Sequence, residues 1–429
     1  MSVSEIERDR YARAATITLG EKRIDSPHFL TRISNPDELR SLEQLVMEGS
    51  PRVQGCVVRL FDAKNVLGSS IADMTQTRVD ALSKYVGSRF REFLDKVTVV
   101  IDPATEYLFY EHHLSKWVND RALPRLVTDY ARARINKKER VDSYEYDNWK
   151  IANHTLFWNK LSHDAASRNR LIGEVFDLEL SYRSSLLLPP VPVIRTSRDL
   201  EIAIQFNEIA QAISAGRNTE CAGYFIMQKG VLDDDGIIDT LFRYLSNSSQ
   251  RMVVLKFKYL DLVKAGSVRQ LIAYRNILQQ ISFLKETFRD RAYMVLENGY
   301  QVFPSATVAF DLVSTHMTGF DKDSEFGHGE YGSWFDPELM VHMPFKDMKE
   351  IYENNQNRLP CAHDECADVD VNTIDANSWN TSRRKHYVLT MGDYMTMIAN
   401  AIKTKRTDLA IDKLINSDIS RLKKLIPRS

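Results

Sequence analysis

Eight short runs rich in apolar and β-branched residues recur along the chain, and most of the stretches between them carry helical spacing. The runs are His28–Arg32, Cys56–Phe61, Val97–Asp102, Ser185–Ile194, Ala222–Gln228, Met252–Phe257, Ala292–Leu296 and Phe310–Thr315. The helical stretches are Pro36–Met47, Gln76–Leu94, Arg198–Ala215, Ile237–Leu245 and Ser267–Phe288. Strands that alternate with helices are joined by crossovers, and crossovers build a parallel sheet. Eight such strands predict an α/β chain whose sheet closes as a (β/α)8 TIM barrel. A doubly wound open sheet is the alternative, but no glycine-rich dinucleotide loop follows the first strand.

The 429 residues exceed one plain barrel. Residues 1–330 are read as the barrel. The segment Tyr107–Tyr182 is too long for one crossover helix and reads as a helical insertion rich in Arg, Lys, Tyr and Trp. Residues 331–390 hold a Cys/His-rich segment, and 391–429 read as a basic helical tail. With 43% apolar and 27% charged residues the composition is that of an ordinary globular protein. The longest apolar run, near Leu186–Ile194, is broken by Pro189, Pro190 and Pro192 and is far too short for a membrane span. The first residues, MSVSEIERDR, show no apolar signal region. A cytoplasmic protein without a membrane partner is the expectation.

Net charge is −1, yet charge is uneven. Thr381–Ser429 carries 11 Lys/Arg against 4 Asp/Glu, and Arg121–Arg140 carries 7 against 2. Such segments can form a local phosphate-binding surface, or simply solvated helix faces. The candidate phosphate contacts are Arg383, Arg384, Lys385, Lys403, Lys405 and Arg406.

Cys361-Ala-His363-Asp-Glu-Cys366 is followed by His386. Two thiols and two imidazoles at this spacing match tetrahedral zinc ligation with no open position, hence a structural Zn2+ site. Cys56 and Cys221 lie in or beside strand runs and read as inert core.

Polar residues stand where strands finish. Asp102 ends VTVVID, Gln228 ends YFIMQ before Lys229-Gly230, and Asp311 lies in AFDLVST. Carboxylates at the C-terminal ends of barrel strands point into the usual active-site mouth. Two across such a mouth can divide the work of nucleophile and acid/base, as in retaining glycosidases. Each alone can equally be a capping or salt-bridging residue.

Several of these segments resemble the tRNA-guanine transglycosylase superfamily, including its DNA-modifying branch. Ala12-Arg13-Ala14-Ala15-Thr16-Ile17-Thr18-Leu19-Gly20 with Ile24-Asp25-Ser26-Pro27-His28-Phe29-Leu30 is similar to the family's opening ARAG…G…TP-F-P motif. Gly223-Tyr-Phe-Ile-Met-Gln228-Lys-Gly230-Val is similar to its GIVQGG strand, and Phe310-Asp311-Leu-Val-Ser-Thr-His-Met-Thr-Gly319 to its FDCVLPTRNG. The Cys/His cluster resembles its zinc site, with His363 in place of a Cys. The matches run from Ala12 to His386 in the family's order. Departures are equally plain. The family's DSGGFQ is here Asp102-Pro-Ala-Thr-Glu-Tyr107, its fourth-strand Asp has no match near Leu186–Arg195, and its GGLAVGE is replaced by Leu255-Lys-Phe-Lys-Tyr259. They point to a divergent branch, of which the DNA 7-deazaguanine-inserting enzymes are one.

The resemblance implies a glycosyltransferase that exchanges a guanine in nucleic acid, DNA slightly favoured over tRNA, for a free purine or 7-deazaguanine base. Asp311 matches the nucleophile that attacks the sugar C1′ of a flipped-out nucleotide. Asp102 matches the general acid/base. Gln228 matches a residue on the base edge, with Gly230 beside it, and Tyr107 or Tyr259 would stack on the base. Cys361, His363, Cys366 and His386 match the zinc ligands. The relationship leaves a homodimer open. Three rival readings stand beside this one: a tRNA enzyme with altered substrate, a nucleic-acid-binding relative without turnover, and a barrel hydrolase with Asp102, His112 and His113 as metal ligands. Adjacent His112 and His113 would diverge on a helix and read better as an insertion-packing pair. His316 and His328 lie near the expected mouth and read best as structural.

Overall fold

The computed structural model describes residues 1–9, 12–34, 36–50, 52–60, 62–63, 95–107, 154–258, 268–297, 309–316, 333–336, 341–356, 358–359, 361, 363, 366, 370 and 376–407. The expected helix Gln76–Leu94 and most of the insertion fall outside them. Also outside are Tyr259, His112, His113, His328 and the side chains of Tyr107 and His316.

The chain opens with an antiparallel meander that the sequence reading did not anticipate. It comprises β1 (Ser2–Asp9), β2 (Ala12–Leu19) and β3 (Lys22–Ser26). The parallel strands and their helices follow in order. They are β4 (His28–Ile33), α1 (Pro36–Met47), β5 (Gly55–Arg59), β6 (Thr98–Asp102), α2 (Ala165–Ser181), β7 (Val193–Ile194), α3 (Ser197–Ser214), β8 (Gly223–Gln228), α4 (Asp235–Asn247), β9 (Met252–Lys258), α5 (Val268–Thr287), β10 (Ala292–Glu297) and β11 (Leu312–His316). Then come the hairpin β12 (Ser333–Asp336) and β13 (Val341–Pro344), α6 (Phe345–Asn354) and the long α7 (Ala376–Lys403).

Eight parallel strands form one sheet in the order β6-β5-β4-β11-β10-β9-β8-β7. The two ends of that order meet on one segment. Leu186 bridges Val100 of β6, and Leu187 bridges Cys221 just before β8, both in parallel. The backbone N–H of Ser185 donates to Val99 at 2.7 Å, and that of Ala222 donates to Leu187 at 3.0 Å. The curled sheet and its flanking helices are consistent with a TIM-like barrel. The expected strand Ser185–Ile194 is split by its prolines, which cannot donate to a ladder, and regains strand geometry only at Val193.

The helices begin where the sequence provides caps. Asp164 accepts from Ser167 N–H ahead of α2, and Asp234 from Ile237 N–H ahead of α4. Thr196 and Asp199 form a reciprocal capping box at α3. Residues of one face of each strand pack outward on these helices, as in the edge-on pairs Phe225–Tyr244 and Phe257–Tyr274.

The C-terminal helix corrects the expected boundary at residue 391. α7 begins inside the Cys/His segment and runs on without a break to Lys403. It lies along the curled sheet. Tyr387 meets Phe29 of β4 edge-on at 5.8 Å, and Ile398 and Ile402 pack on Ala12 and Ala14 of β2. At Gly392 the helix passes so close to Arg52 that a Cβ would come within 2.5 Å of the Arg52 Cβ. Among the described residues, no helix is long and apolar enough to cross a membrane.

Candidate functional site

Charged residues inside apolar strands have to point somewhere, and here several point at one another. Arg32 of β4, Lys256 of β9 and Tyr224 of β8 all reach Asp102, the last residue of β6. The Arg32 Nη2 and Lys256 Nζ donate to Oδ2 at 3.0 and 2.6 Å. The Tyr224 hydroxyl and the Ala104 N–H donate to Oδ1 at 2.7 and 2.9 Å. Lys256 also pairs with Glu106, which stands on a helical turn (Thr105–Tyr107) directly after β6. Asp102 and Lys256 are fully buried and Glu106 is 3% exposed. Asp102 pairs with Arg59 at the ends of β6 and β5, so the group sits at the C-terminal rim of the sheet.

The electrostatics follow from this crowding. Burial alone would raise the Asp102 carboxyl, but Lys256 and Arg32, with the donated hydrogen bonds, bring it down to about 2. Burial pushes the Tyr224 phenol well up, and the two carboxylates add to this. Nearby Glu179, buried in α2 with Leu188 N–H as a donor, is driven well above the usual carboxylate range by burial.

Asp311 lies elsewhere. It precedes β11, whose first residue Leu312 pairs with His28, the first of β4. That is the N-terminal floor of the sheet. Arg13 of β2 grips it with two bonds, Nε to Oδ1 at 2.9 Å and Nη2 to Oδ2 at 2.8 Å. Tyr293 N–H donates to Oδ2 at 2.9 Å, and Lys285 stands 3.8 Å from Oδ1. Burial opposes ionisation, and Arg13 and Lys285 outweigh it, holding the carboxyl below its ordinary value. Arg13 itself is fixed by the carbonyls of Arg289 and Arg291. Asp102 and Asp311 share no partner and face opposite ends of the strands. The expected convergence of the two on one gap does not occur, because the strand starts after Asp311 and the Arg13 fork claims its oxygens.

Gln228 does end β8 as expected. It is half-buried, and its amide has no hydrogen-bond partner among the described residues. Gly230 is exposed on the helical turn that follows.

The Cys/His segment forms a compact tetrad. The ligand atoms of Cys361, His363, Cys366 and His386 all lie within 4.8 Å of one another. Cys361 Sγ is 3.2 Å from His363 Nδ1 and 3.1 Å from His386 Nδ1, and Cys366 Sγ is 3.2 Å from His386 Nδ1. Two sulfurs and two nitrogens at these separations could hold one metal ion. The outer ring nitrogen of His363 faces Asp393 Oδ2 at 2.7 Å, the usual device for fixing a ligating imidazole. Asp393 in turn pairs with Arg52 at 2.5 Å, which ties the tetrad to the loop before β5. The Cys361 thiol is drawn far down by hydrogen bonding to Cys366, with His363 and His386 adding to this against burial.

The proposed phosphate contacts divide. Lys385 pairs with Glu48 and Lys405 with Glu7, so both are spent within the chain. Arg383 is half-buried, and burial together with Arg384 brings its guanidinium down to about 10. Lys403 and Arg406 are exposed. Cys56 and Cys221 are buried, and burial raises both thiols, in keeping with inert core positions.

Lys256, Glu106, Arg32 and Tyr224 were not singled out together by the sequence. The signal was available in part: an Arg in HFLTRI and a Lys in MVVLKFK are charges inside otherwise apolar strands. A scan of protein-family models and a search of curated proteins find no match to this chain.

Proposed function

We propose that the chain is a base-exchange glycosyltransferase acting on guanine in nucleic acid, DNA slightly favoured, with its reaction centre at the C-terminal rim around Asp102. The incoming base in this reading is a 7-deazaguanine or another free purine. The barrel is of the (β/α)8 kind, and Cys361, His363, Cys366 and His386 hold a structural Zn2+, which would lock the segment before α7 against the barrel. The reading rests on the ordered motifs from Ala12 to His386. One observation carries it: the carboxylate that the motifs assign to the third barrel strand ends that strand, ionised, within a charged cluster at the end of the sheet where such barrels do chemistry. Gln228, with its amide unspent, suits a purine edge. Lys403 and Arg406 remain for backbone phosphates, so a shallow salt dependence of binding, with a log–log slope of about −2, is expected. Asp311 has no part in the chemistry here, being held by Arg13 on the floor.

The test is incorporation of radiolabelled guanine, and then of a 7-deazaguanine, into guanine-containing DNA and tRNA. Incorporation by the wild type that is lost in Asp102→Asn supports the proposal. No incorporation into either nucleic acid, with salt-dependent binding retained, would favour the binding-only reading. That second reading has its own observation behind it, the separation of Asp102 from Asp311.

A further inference from the structure

We propose that Asp393 and Arg52 are positioning residues for the Cys/His tetrad, and that through them the chain between α1 and β5 sets the tetrad's affinity for its metal ion. This inference rests on the reading of Cys361, His363, Cys366 and His386 as metal ligands. It deepens that reading, because it makes the site depend on a stretch of chain that lies far ahead of all four ligands.

His363 turns Nδ1 toward Cys361 Sγ at 3.2 Å and Nε2 toward Asp393 Oδ2 at 2.7 Å. A ligating imidazole offers the ion a lone pair from one nitrogen and keeps its proton on the other. With Nδ1 on the side of the thiols, the proton belongs on Nε2, which donates it to Asp393. That bond fixes both the tautomer and the orientation of the ring. The second oxygen of the same carboxylate, Oδ1, is 2.5 Å from Arg52 Nε. One carboxylate therefore stands between an imidazole and a guanidinium, with a different oxygen given to each.

The backbone is arranged for this contact. Asp393 follows Gly392, where a Cβ would stand 2.5 Å from the Arg52 Cβ and 3.0 Å from its Cγ. Only a bare α-carbon lets α7 lie on the Arg52 stem, although alanine is the better helix former. A second ion pair runs the same way. Lys385, next to the ligand His386, reaches Glu48 at 3.3 Å. Both pairs land on the chain between α1 and β5, and that chain is itself fastened to the parallel sheet and the meander. Gln54 N–H donates to His28 Nε2 at 3.2 Å, and its side-chain oxygen accepts from Asp25 N–H at 2.8 Å.

The Arg52 and Asp393 side chains are 38% and 45% exposed. An ion pair so open to water adds little to stability. Its effect is on the orientation of His363, so the pair can be removed from a chain that stays folded. Without Arg52, the Asp393 carboxylate is free to rotate into water and holds the imidazole less often. Whatever orients a ligand for the ion is oriented by the ion in return, so metal binding and the docking of α7 on Arg52 strengthen each other.

The experiment titrates the zinc-loaded full chain with a chelator of known affinity, and repeats the titration with Co2+, whose visible bands report its ligand set. Wild type is compared with Asp393→Ala, Arg52→Gln, Arg52→Lys and the double variant Asp393→Ala/Arg52→Gln. Asp393→Ala is expected to lower Zn2+ affinity about 10–100-fold. Arg52→Gln should lower it several-fold, with part of the loss restored in Arg52→Lys. Once Asp393 is gone, Arg52→Gln should cost nothing more, because the two act in series. At saturating Co2+ every variant should show the wild-type bands, since the four ligands are untouched. Affinity of Asp393→Ala within about threefold of wild type, below the range for such partners, would overturn the positioning role. So would an Arg52→Gln loss that persists in the double variant, or altered Co2+ bands at saturation. Each of these leaves the tetrad a metal site. Wild-type protein that holds neither Zn2+ nor Co2+ would overturn the metal reading and this inference with it. None of the readouts depends on base exchange.

Discussion

The floor and the rim of this sheet each bury an aspartate against an arginine, yet the two arrangements have different consequences. On the floor Asp311 meets Arg13 fork to fork, with a backbone N–H completing the set. The partners come from the N-terminal meander and from β10, so the pair bolts the meander to the parallel sheet. At the rim Asp102 draws on three separate strands and shares Lys256 with a second carboxylate. The floor sets one carboxylate between Arg13 and Lys285, whereas the rim sets one ammonium between two carboxylates. A buried Asp beside an Arg is therefore no signature of chemistry by itself, and what sets the rim apart is its second carboxylate, Glu106.

The largest expected effect falls on α7, which packs on the meander through Ile398 and Ile402 and holds His386 in the tetrad. On the proposed zinc reading, a chelator or replacement of Cys366 by Ala is expected to release the segment before α7. Tetrahedral Cys/His zinc sites contribute on the order of 10 kcal/mol in small domains. A large fall in Tm, reversed by added Zn2+, is the expected readout, and an unchanged Tm would remove the metal from the fold.

Next in size is the floor. Arg13→Ala leaves Asp311 buried beside only a distant Lys285, and breaking such a pair costs about 3–5 kcal/mol. Arg32→Ala at the rim still leaves Lys256 and Tyr224 on Asp102, so urea unfolding should show a clearly smaller loss. Equal losses would erase the distinction between bolt and cluster.

The floor also carries an acid sensitivity. His28 is buried, accepts from Gln54 N–H through Nε2, and burial brings its imidazole down to about 4. Between its unfolded value near 6.5 and 4 the unfolded chain binds the proton and the folded chain does not. Stability attributable to His28 is thus complete above about pH 6.5 and declines as pH falls to 4, by about 3 kcal/mol in all. Asp311, held below its ordinary value, adds a loss in the same direction only at still lower pH. His28→Gln should flatten the decline between pH 6.5 and 4, and a curve unchanged by the substitution would show that another group carries it.

What the sequence made legible follows from which forces are local. The alternation of strand and helix came from side-chain periodicity and held for most elements: Pro36–Met47 is α1 and Val97–Asp102 contains β6, whereas Ser185–Ile194 keeps strand geometry only at Val193–Ile194. The Cys/His tetrad was legible because three of its four members lie within six residues. The meander was missed because Arg13 and the alanines of ARAATITL lack an apolar alternation, although all of Ala12–Ala15 are buried. The pairing of Asp311 with Arg13, 298 residues apart, has no local trace. Glu106 went unread for the opposite reason. It lies four residues from Asp102, but only the left-handed turn at Ala104 brings it back to Lys256.

That turn gives the smallest expected effect on stability and the cleanest separation of rim from floor. Glycine at position 104 relieves the left-handed strain of about 1–2 kcal/mol. It also removes a buried methyl worth about 0.8 kcal/mol and adds backbone freedom to the unfolded chain worth roughly 0.5–1 kcal/mol. These contributions nearly cancel, so Ala104→Gly should keep its unfolding midpoint within the range of about 1 kcal/mol. Base exchange, on the proposed reading, should nevertheless fall several-fold, because a looser turn caps the Asp102 carboxylate less firmly through the residue 104 N–H. A variant with unchanged stability and unchanged exchange would show that the turn does not position the Asp102 carboxylate.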